Sequence, residues 1–314
     1  MEQSPWISVV MPTYNGETYL SQALDSLIAQ KDDELEVVAV DDGSTDGTLD
    51  ILYSYTGKLR LKILEHEHSG NWVVGTNAGL TSATGTFASI LHQDDIWLPS
   101  RLRELRAVLA ASGPPALLVH PIWFIGPDGR RAGSWRCPLP PAKTLGPEFV
   151  TPRLLVQNFI SVLGTVFPRQ AVVGDGGLDE ELWYTADWDL WLRLAGKGPT
   201  WHHPTRLGAY RIHPETQTAT RSAAVGKFRR QLEAVLERHL LPDVPRSIEH
   251  AARFSVDVNV ALAARSHGRR TSIAKLLGGF LALGPIGWWR YLRYSRIVER
   301  AWSRVRVARR SPRA

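Results

Sequence analysis

Through the first hundred residues, a short apolar, β-branched run repeatedly ends in a polar cluster and is then followed by apolar residues at helical spacing. Residues 7–11 run into Pro12-Thr13-Tyr14-Asn15-Gly16, after which Tyr19, Ala23, Leu27 and Ile28 recur on one helical face. Residues 36–40 run into the turn-rich segment 41–47, and residues 48–55 read as a helix entered from it. A strand at 62–65, a helix over 72–83 and a strand over 86–91 continue the cycle as far as His92-Gln93-Asp94-Asp95. This alternation predicts an α/β fold, a mostly parallel sheet with crossover helices. Ligands bind outside the carboxyl ends of such strands, so the clusters at 12–15, 41–46 and 92–95 are expected to share one cleft.

Two further segments are less regular. Residues 113–152 are rich in Pro and Gly and carry several Trp and Arg, which predicts a surface loop with a binding role. Residues 184–194 read as a helix with Trp188, Trp191, Leu192 and Ala195 turned inward. Charge then divides the chain. Residues 1–220 carry 17 Lys/Arg against 25 Asp/Glu and residues 221–314 carry 20 against 6, so the net +6 separates into −8 and +14. The expected organisation is a catalytic domain over 1–220 and a basic, aromatic-rich helical region over 221–314. One cysteine, Cys137, excludes an intramolecular disulfide and a thiolate zinc site, and with no secretory leader visible the expected location is the cytoplasm. The weakly polar stretch 276–289 is broken by glycines and Pro285 and is too short to span a bilayer.

The chemistry lies in the acids. Asp-Gly-Ser alone makes a turn and an N-cap, but Asp41-Asp42 places two carboxylates at a strand end, where they repel unless hydrogen bonds or a cation absorb the charge. Asp94-Asp95 repeats the pattern, and a hard cation such as Mg²⁺ or Mn²⁺ typically takes one or two carboxylates plus phosphate oxygens. Asp95 is also placed to start the segment that follows. Asp187 and Asp189 fall in the first turn of the 184–194 helix, where both would suit the helix dipole. Residues two apart do not share a face, so one of them, taken as Asp187, is expected to reach the cleft. His213 follows a strand-like Tyr210-Arg211-Ile212 and carries little weight alone. Phosphate-cradling G-x-x-x-x-G-K-[ST] and G-x-G-x-x-G loops are absent, as is G-x-S-x-G.

Taken in order, Val9-Val10-Met11-Pro12-Thr13-Tyr14-Asn15, Val40-Asp41-Asp42-Gly43-Ser44, Asn77-Ala78-Gly79-Leu80, Gln93-Asp94-Asp95, Asp187-Trp188-Asp189 and Tyr210-Arg211-Ile212-His213 resemble the motifs of family 2 glycosyltransferases with the GT-A fold. The resemblance covers about residues 6–216. It implies inverting transfer of a sugar from a nucleoside diphosphate donor, of UDP or dTDP type, to an acceptor hydroxyl. Pro12, Tyr14, Glu17, Asn77 and Gln93 would then surround the donor, with Asp41 and Asp42 reading base and ribose. Asp94 would contact a divalent metal, joined by His213, and Asp187 would be the general base.

Two departures bear on metal affinity and activity: His92 stands where the first acid of D-x-D is usual, and Ala186 where a Glu often precedes the catalytic acid. A base on the acceptor side and a cation near the departing diphosphate are what single displacement requires. A glycoside hydrolase would need one protonated acid and no metal, and a nucleotidyltransferase a basic glycine loop absent here.

The basic region suggests a further partner. Trp288, Trp289, Tyr291, Tyr294 and Trp302 accompany Arg290, Arg293, Arg296, Arg300 and Arg304 at steps of three and four, predicting one positive helical face. Such a face would suit the inner surface of an anionic membrane, where lipid-linked or cell-envelope glycan acceptors are found. A rival reading is a catalytically weakened nucleotide-binding protein whose tail binds nucleic acid or membrane; no nucleic-acid recognition motif supports the former.

Overall fold

A computed structural model of the chain describes residues 4–213 and 224–297. It opens with β1 (Ile7–Thr13), α1 (Leu20–Ile28), β2 (Leu35–Asp41), α2 (Thr48–Ser54), β3 (Arg60–Glu65), α3 (Trp72–Ser82) and β4 (Phe87–Ile90). β1 and β2 are buried almost throughout, as their runs of Val, Ile, Leu and Ala demand of strands covered on both faces. β1 pairs in parallel with β2 and β4, and β2 with β3. Thr13 pairs with Asp41 and Asp41 with Glu65, so the carboxyl ends of three strands finish level at one edge. α3 lies close on β1 because Gly79 carries no Cβ: one added there would stand 2.4 Å from Val10 Cγ1.

The chain continues through β5 (Ile96–Trp97), α4 (Arg101–Ser112), β6 (Leu117–Val119), β7 (Ile122–Ile125), β8 (Arg131–Trp135), β9 (Lys143–Leu145), α5 (Pro147–Val156), β10 (Thr165–Pro168), α6 (Arg169–Val173), α7 (Ala186–Lys197), β11 (Thr200–His202) and β12 (Gly208–Arg211). The main sheet runs β3-β2-β1-β4-β10-β6-β11-β9, and a smaller one β5-β12-β7-β8. β10 enters antiparallel to both β4 and β6, and the edge strand β9 is antiparallel to β11, so the sheet is mixed, with its parallel part at β3-β2-β1-β4 and β6-β11. The expected surface loop at 113–152 is thus corrected: it supplies four strands, and Leu117, Leu118, Val119 and Ile122 are fully buried. Its strands have three to five residues each, too few for an alternating pattern to show. Its Arg and Trp content is spent in part on itself, since the Arg131 guanidinium stacks 4.5 Å from the Trp123 ring, and Arg206 from outside the segment stacks at the same distance.

The C-terminal region is helical, as expected: α8 (Val225–His239), α9 (Arg246–Ser266), α10 (Ile273–Ala282) and α11 (Gly284–Ser295). The expected boundary at 220/221 lies outside the described residues, but no division of the core accompanies it. Phe228, Leu232 and Val235 of α8 and Ile248, Ala251 and Ala252 of α9 belong to one buried cluster with Leu154 and Leu155 of α5 and Leu190 and Trp191 of α7. The expected arginine ladder is also corrected. α11 stops at Ser295, Arg296 takes a left-handed conformation (φ +49°), Arg290 is bonded to Ser247, and Arg300, Arg304 and Trp302 lie outside the described residues.

Candidate active site

The loops after β1 and β2 are stitched to one another. Asn15, in the left-handed region at φ +46°, donates its amide to Ser44 Oγ (2.9 Å) and accepts from the Thr45 amide at Oδ1 (2.8 Å). Glu17 Oε2 accepts from the Gly47 amide (2.9 Å), and Gly16 N donates to Thr48 Oγ1 (2.7 Å). Pro12, partly buried, is followed by buried Thr13, the last residue of β1 before this loop. Asp41, 1% exposed, accepts from Thr13 Oγ1 (3.1 Å), Ser44 N (2.8 Å) and Ser44 Oγ (2.6 Å). Asp42 accepts from Ser69 N and Oγ (both 2.8 Å) and Gly70 N (2.9 Å), with His68 Nδ1 3.1 Å from its Oδ2. Hydrogen bonds, rather than a cation, therefore absorb the charge of this acid pair.

Above Asp42 the Tyr14 ring stacks on His68 at 4.2 Å, and Tyr14 stays 39% exposed, which makes an aromatic shelf at the mouth of the strand ends. Gln93 clamps that shelf from β4: Oε1 accepts from the Tyr14 amide (2.8 Å) and Nε2 donates to the Tyr14 carbonyl (2.9 Å). Its amide is thus spent on the backbone. The same holds for Asn77, which donates to the Leu178 carbonyl (2.9 Å) and Glu180 Oε1 (3.0 Å) and accepts from the Leu178 amide (2.8 Å). The expected donor contact from Asn77 is corrected to a strut between α3 and the segment ahead of α7.

Beyond β4 the three candidate ligands separate. Asp94 Oδ2 lies 2.9 Å from His213 Nε2, both partly buried. Asp95 is 1% exposed and accepts the Arg211 amide at 3.0 Å; burial, with Asp94 beside it, pushes its carboxyl well up, while the Arg211 contacts oppose this. It leads into β5 and ties β12 in place, so its expected ligand role is corrected to a structural one. His92 packs edge-on against Trp72 (5.2 Å between ring centres), its Nε2 has no hydrogen-bond partner, and burial holds its pKa down against the pull of Asp94. A neutral imidazole with an uncommitted nitrogen is a ligand type that divalent cations accept. No group of three His, Cys, Asp or Glu side chains among the described residues stands ready to hold an ion alone. Asp94 and His213 would hold a divalent cation only together with oxygen ligands from a bound molecule, for which one carboxylate and one imidazole are a suitable donor set.

Asp187 and Asp189 occupy the first turn of α7 with opposite fates. Asp189 is fully buried; burial alone would raise its pKa, but His239 Nε2, Arg193 Nε and Arg238 Nη1, each at 2.9 Å, hold it at about 2. Among the described residues Asp187 has no cationic partner. Desolvation pushes its carboxyl up to about 6, against the lowering effect of the Trp188 amide (2.8 Å) and Asn158 Nδ2 (3.0 Å). Trp72 joins this region to the strand ends, because its Nε1 donates to the Trp183 carbonyl (2.6 Å) while its ring meets His92.

Sequence patterns leave three of these residues unmarked. His68 lies in a polar cluster after β3, and the strand-end rule applied to the third strand as well would have found it. Trp72 and Asn158 carry no local sign, since their partners lie far along the chain.

The half-parallel sheet, its level strand ends and the acids around them define the GT-A class of glycosyltransferase fold. Residues 8–155 match the sequence model of Glycosyl transferase family 2. An uncharacterized glycosyltransferase of Rickettsia prowazekii (strain Madrid E) is 24% identical over 298 residues, 88% of each chain. The poly(ribitol-phosphate) beta-N-acetylglucosaminyltransferase TarS of Staphylococcus aureus (strain Mu50) is 38% identical over 115 residues, 36% of this chain and 20% of that one. Among solved structures, S. aureus TarS 1-349 in complex with UDP-GlcNAc superposes with a TM-score of 0.63 at 18% identity, covering 96% of this chain and 89% of that one. The mannosyltransferase PcManGT of Pyrobaculum calidifontis, in complex with GDP-Man and Mn2+, gives 0.59 at 17% identity, covering 98% and 88%. Residues 8–155 thus carry a glycosyl transferase family 2 domain, and the chain is a glycosyltransferase.

Proposed function

We propose that this enzyme moves a sugar, with inversion, from a nucleoside diphosphate sugar of UDP or dTDP type to an acceptor hydroxyl on a cell-envelope or exopolysaccharide glycan or a lipid-linked precursor. The observation that carries the reading is Asp187, a carboxylate at a helix end with a pKa of about 6 and no cationic partner among the described residues, which is ionised at neutral pH yet basic enough to take a proton. The nucleotide complexes of TarS and PcManGT support the choice of donor class.

In this reading the donor's base lies against the Tyr14–His68 shelf. Pro12, Glu17, Asp41, Asp42 and Gln93 shape the walls through the bonds that order the two loops. Asp94 and His213 hold a divalent cation, Mg²⁺ or Mn²⁺, which when bound offsets negative charge on the diphosphate. Asp187 accepts the acceptor's hydroxyl proton as that oxygen bonds to the anomeric carbon. The anomeric bond to the diphosphate oxygen breaks, and its electron pair leaves with the nucleoside diphosphate. Asn158 and the Trp188 amide orient the carboxylate and leave each oxygen a free lone pair for the incoming proton. The enzyme works from the cytoplasmic side, with its basic C-terminal region toward an anionic membrane. A thermal-shift titration with UDP, dTDP, GDP and CDP, with and without Mn²⁺, tests the donor site: one nucleotide at a hundred times its Kd adds about 2.7 kcal/mol of stability. A chain that no nucleotide stabilises overturns the reading.

A further inference from the structure

The surface of α10 and α11 carries apolar side chains that stay exposed among the described residues. None of the residues of α10 is buried, although the helix reads Ile-Ala-Lys-Leu-Leu-Gly-Gly-Phe-Leu-Ala. Ile273, Leu277 and Leu281 follow one another at steps of four and are 57%, 58% and 64% exposed. On α11, Ile286, Trp289 and Leu292 follow at steps of three and are 68%, 59% and 46% exposed. These are six of the largest exposed apolar side chains in the described residues, gathered on two consecutive helices. Scattered apolar residues on a surface need no cause, but a gathered patch of this kind marks an interaction surface.

The patch cannot fold back on the core. The opposite side of α11 is anchored by Gly287, Tyr291, Tyr294 and Ser295, all buried, with Tyr291 meeting Phe254 of α9 at 4.8 Å. The two helices are locked to each other: Trp288 stacks on Phe280 (5.7 Å) and its Nε1 donates to the Phe280 carbonyl (2.5 Å). Inward residues are committed, so the outward stripe is held open.

Charge identifies what covers it. Residues 258–297 contain seven Lys/Arg and no Asp or Glu. Of the seven, Arg265, Arg269, Arg270, Lys275 and Arg293 are exposed. A second copy of the chain docking face to face would bring these cations against their own kind, which disfavours a self-complementary interface. Helices of 10 and 12 residues are far short of the roughly 20 that span a bilayer, and no helix among the described residues is long and apolar enough to do so. An apolar stripe in a segment whose only acid–base charges are cations suits one surface, a bilayer whose headgroups are anionic and whose acyl boundary lies just below them.

We propose that α10 and α11 form an interfacial anchor that lies flat on an anionic lipid bilayer, with Ile273, Leu277, Leu281, Ile286, Trp289 and Leu292 entering the headgroup–acyl boundary. The sequence places attachment in an arginine ladder; the structure shifts it to these apolar side chains, and the cations become their electrostatic complement. The inference rests on the proposed placement of the C-terminal region toward an anionic membrane and names the side chains that make the contact; flotation tests it separately from the transfer reaction, which the nucleotide titration tests.

Flotation of the full chain with vesicles of phosphatidylcholine alone, or mixed with phosphatidylglycerol, tests it. Wild type co-floats with the mixed vesicles at low salt, and raised salt weakens the binding. The triple variant Leu277→Ser, Ile286→Ser, Trp289→Ser loses binding by on the order of tenfold or more, with its thermal midpoint and nucleotide-induced stabilisation unchanged because these side chains are already in water. Failure of wild type to float with anionic vesicles overturns the proposal. So does a triple variant that binds as tightly as wild type, which would assign attachment to charge alone. A wild-type dimer that the triple variant dissolves to monomer also overturns it, in favour of a second copy as the covering surface.

Discussion

His213 Nε2 lies 2.9 Å from Asp94 Oδ2 across 119 positions of sequence, so the residue after β12 closes on the acid after β4. Asp95 makes that meeting possible by accepting the Arg211 amide, which fixes the end of β12 two residues before His213.

Removing either partner of that pair should weaken cation binding without unfolding the chain. For Asp94→Asn and His213→Ala, the Mn²⁺ concentration needed for the metal-dependent part of nucleotide stabilisation should rise by roughly tenfold to a hundredfold. Thermal-shift titrations of Mn²⁺ at fixed nucleotide read this directly, and an unchanged midpoint would remove the pair from the cation site.

Asp187→Asn should trade activity for stability. Transfer should fall by about 10² to 10⁴, with nucleotide binding intact. The folded carboxyl titrates at about 6, above the unfolded value of about 3.9, so its contribution to stability is full below pH 4 and lost as pH rises through 6. At pH 7 the variant should therefore be more stable than wild type by about 1 to 2 kcal/mol, allowing for the group's partial exposure, and at pH 4 the gain should vanish. Denaturant melts at both pH values check the sign. Wild-type turnover should fall on an acid limb centred near pH 6.

Asp189 should behave oppositely. Its folded pKa of about 2 lies below the unfolded value, so its stabilisation is present above pH 4 and lost as pH falls towards 2. Asp189→Asn strips charge from Arg193, Arg238 and His239 and should cost about 3 kcal/mol at pH 7. A variant that melts with wild type would show that α8 does not hold α7 through this acid.

Gly79→Ala should destabilise by about 1 to 3 kcal/mol, since the new Cβ would stand 2.4 Å from Val10 Cγ1 and push α3 off β1. Gly57, with nothing within 4 Å of its would-be Cβ, is the matched control: Gly57→Ala should leave the thermal midpoint nearly unchanged.

Local pattern was enough to read strands at 7–11, 36–40 and 62–65, which the structure extends to 7–13, 35–41 and 60–65, together with the helices that follow them and the polar clusters at their ends, because each rests on periodicity within a dozen residues. It also read that Asp187 and Asp189 could not share a face. Which of the two carries a partner depends on Arg238 and His239, some fifty residues on, and no local pattern reports that distance. The same holds for Gln93 and Asn77, whose amides are consumed by backbone brought near through the sheet, and for Trp72, which joins β4 to the approach of α7. The segment 113–152 was opaque because its strands are too short to show a period and are held by neighbours from elsewhere in the chain. Composition disclosed the basic C-terminal region, but only packing decided which side of each helix faces the core and which six apolar side chains face water. Secondary structure and charge are sums over neighbours in sequence, whereas burial and the partner of a carboxylate are set by neighbours in space.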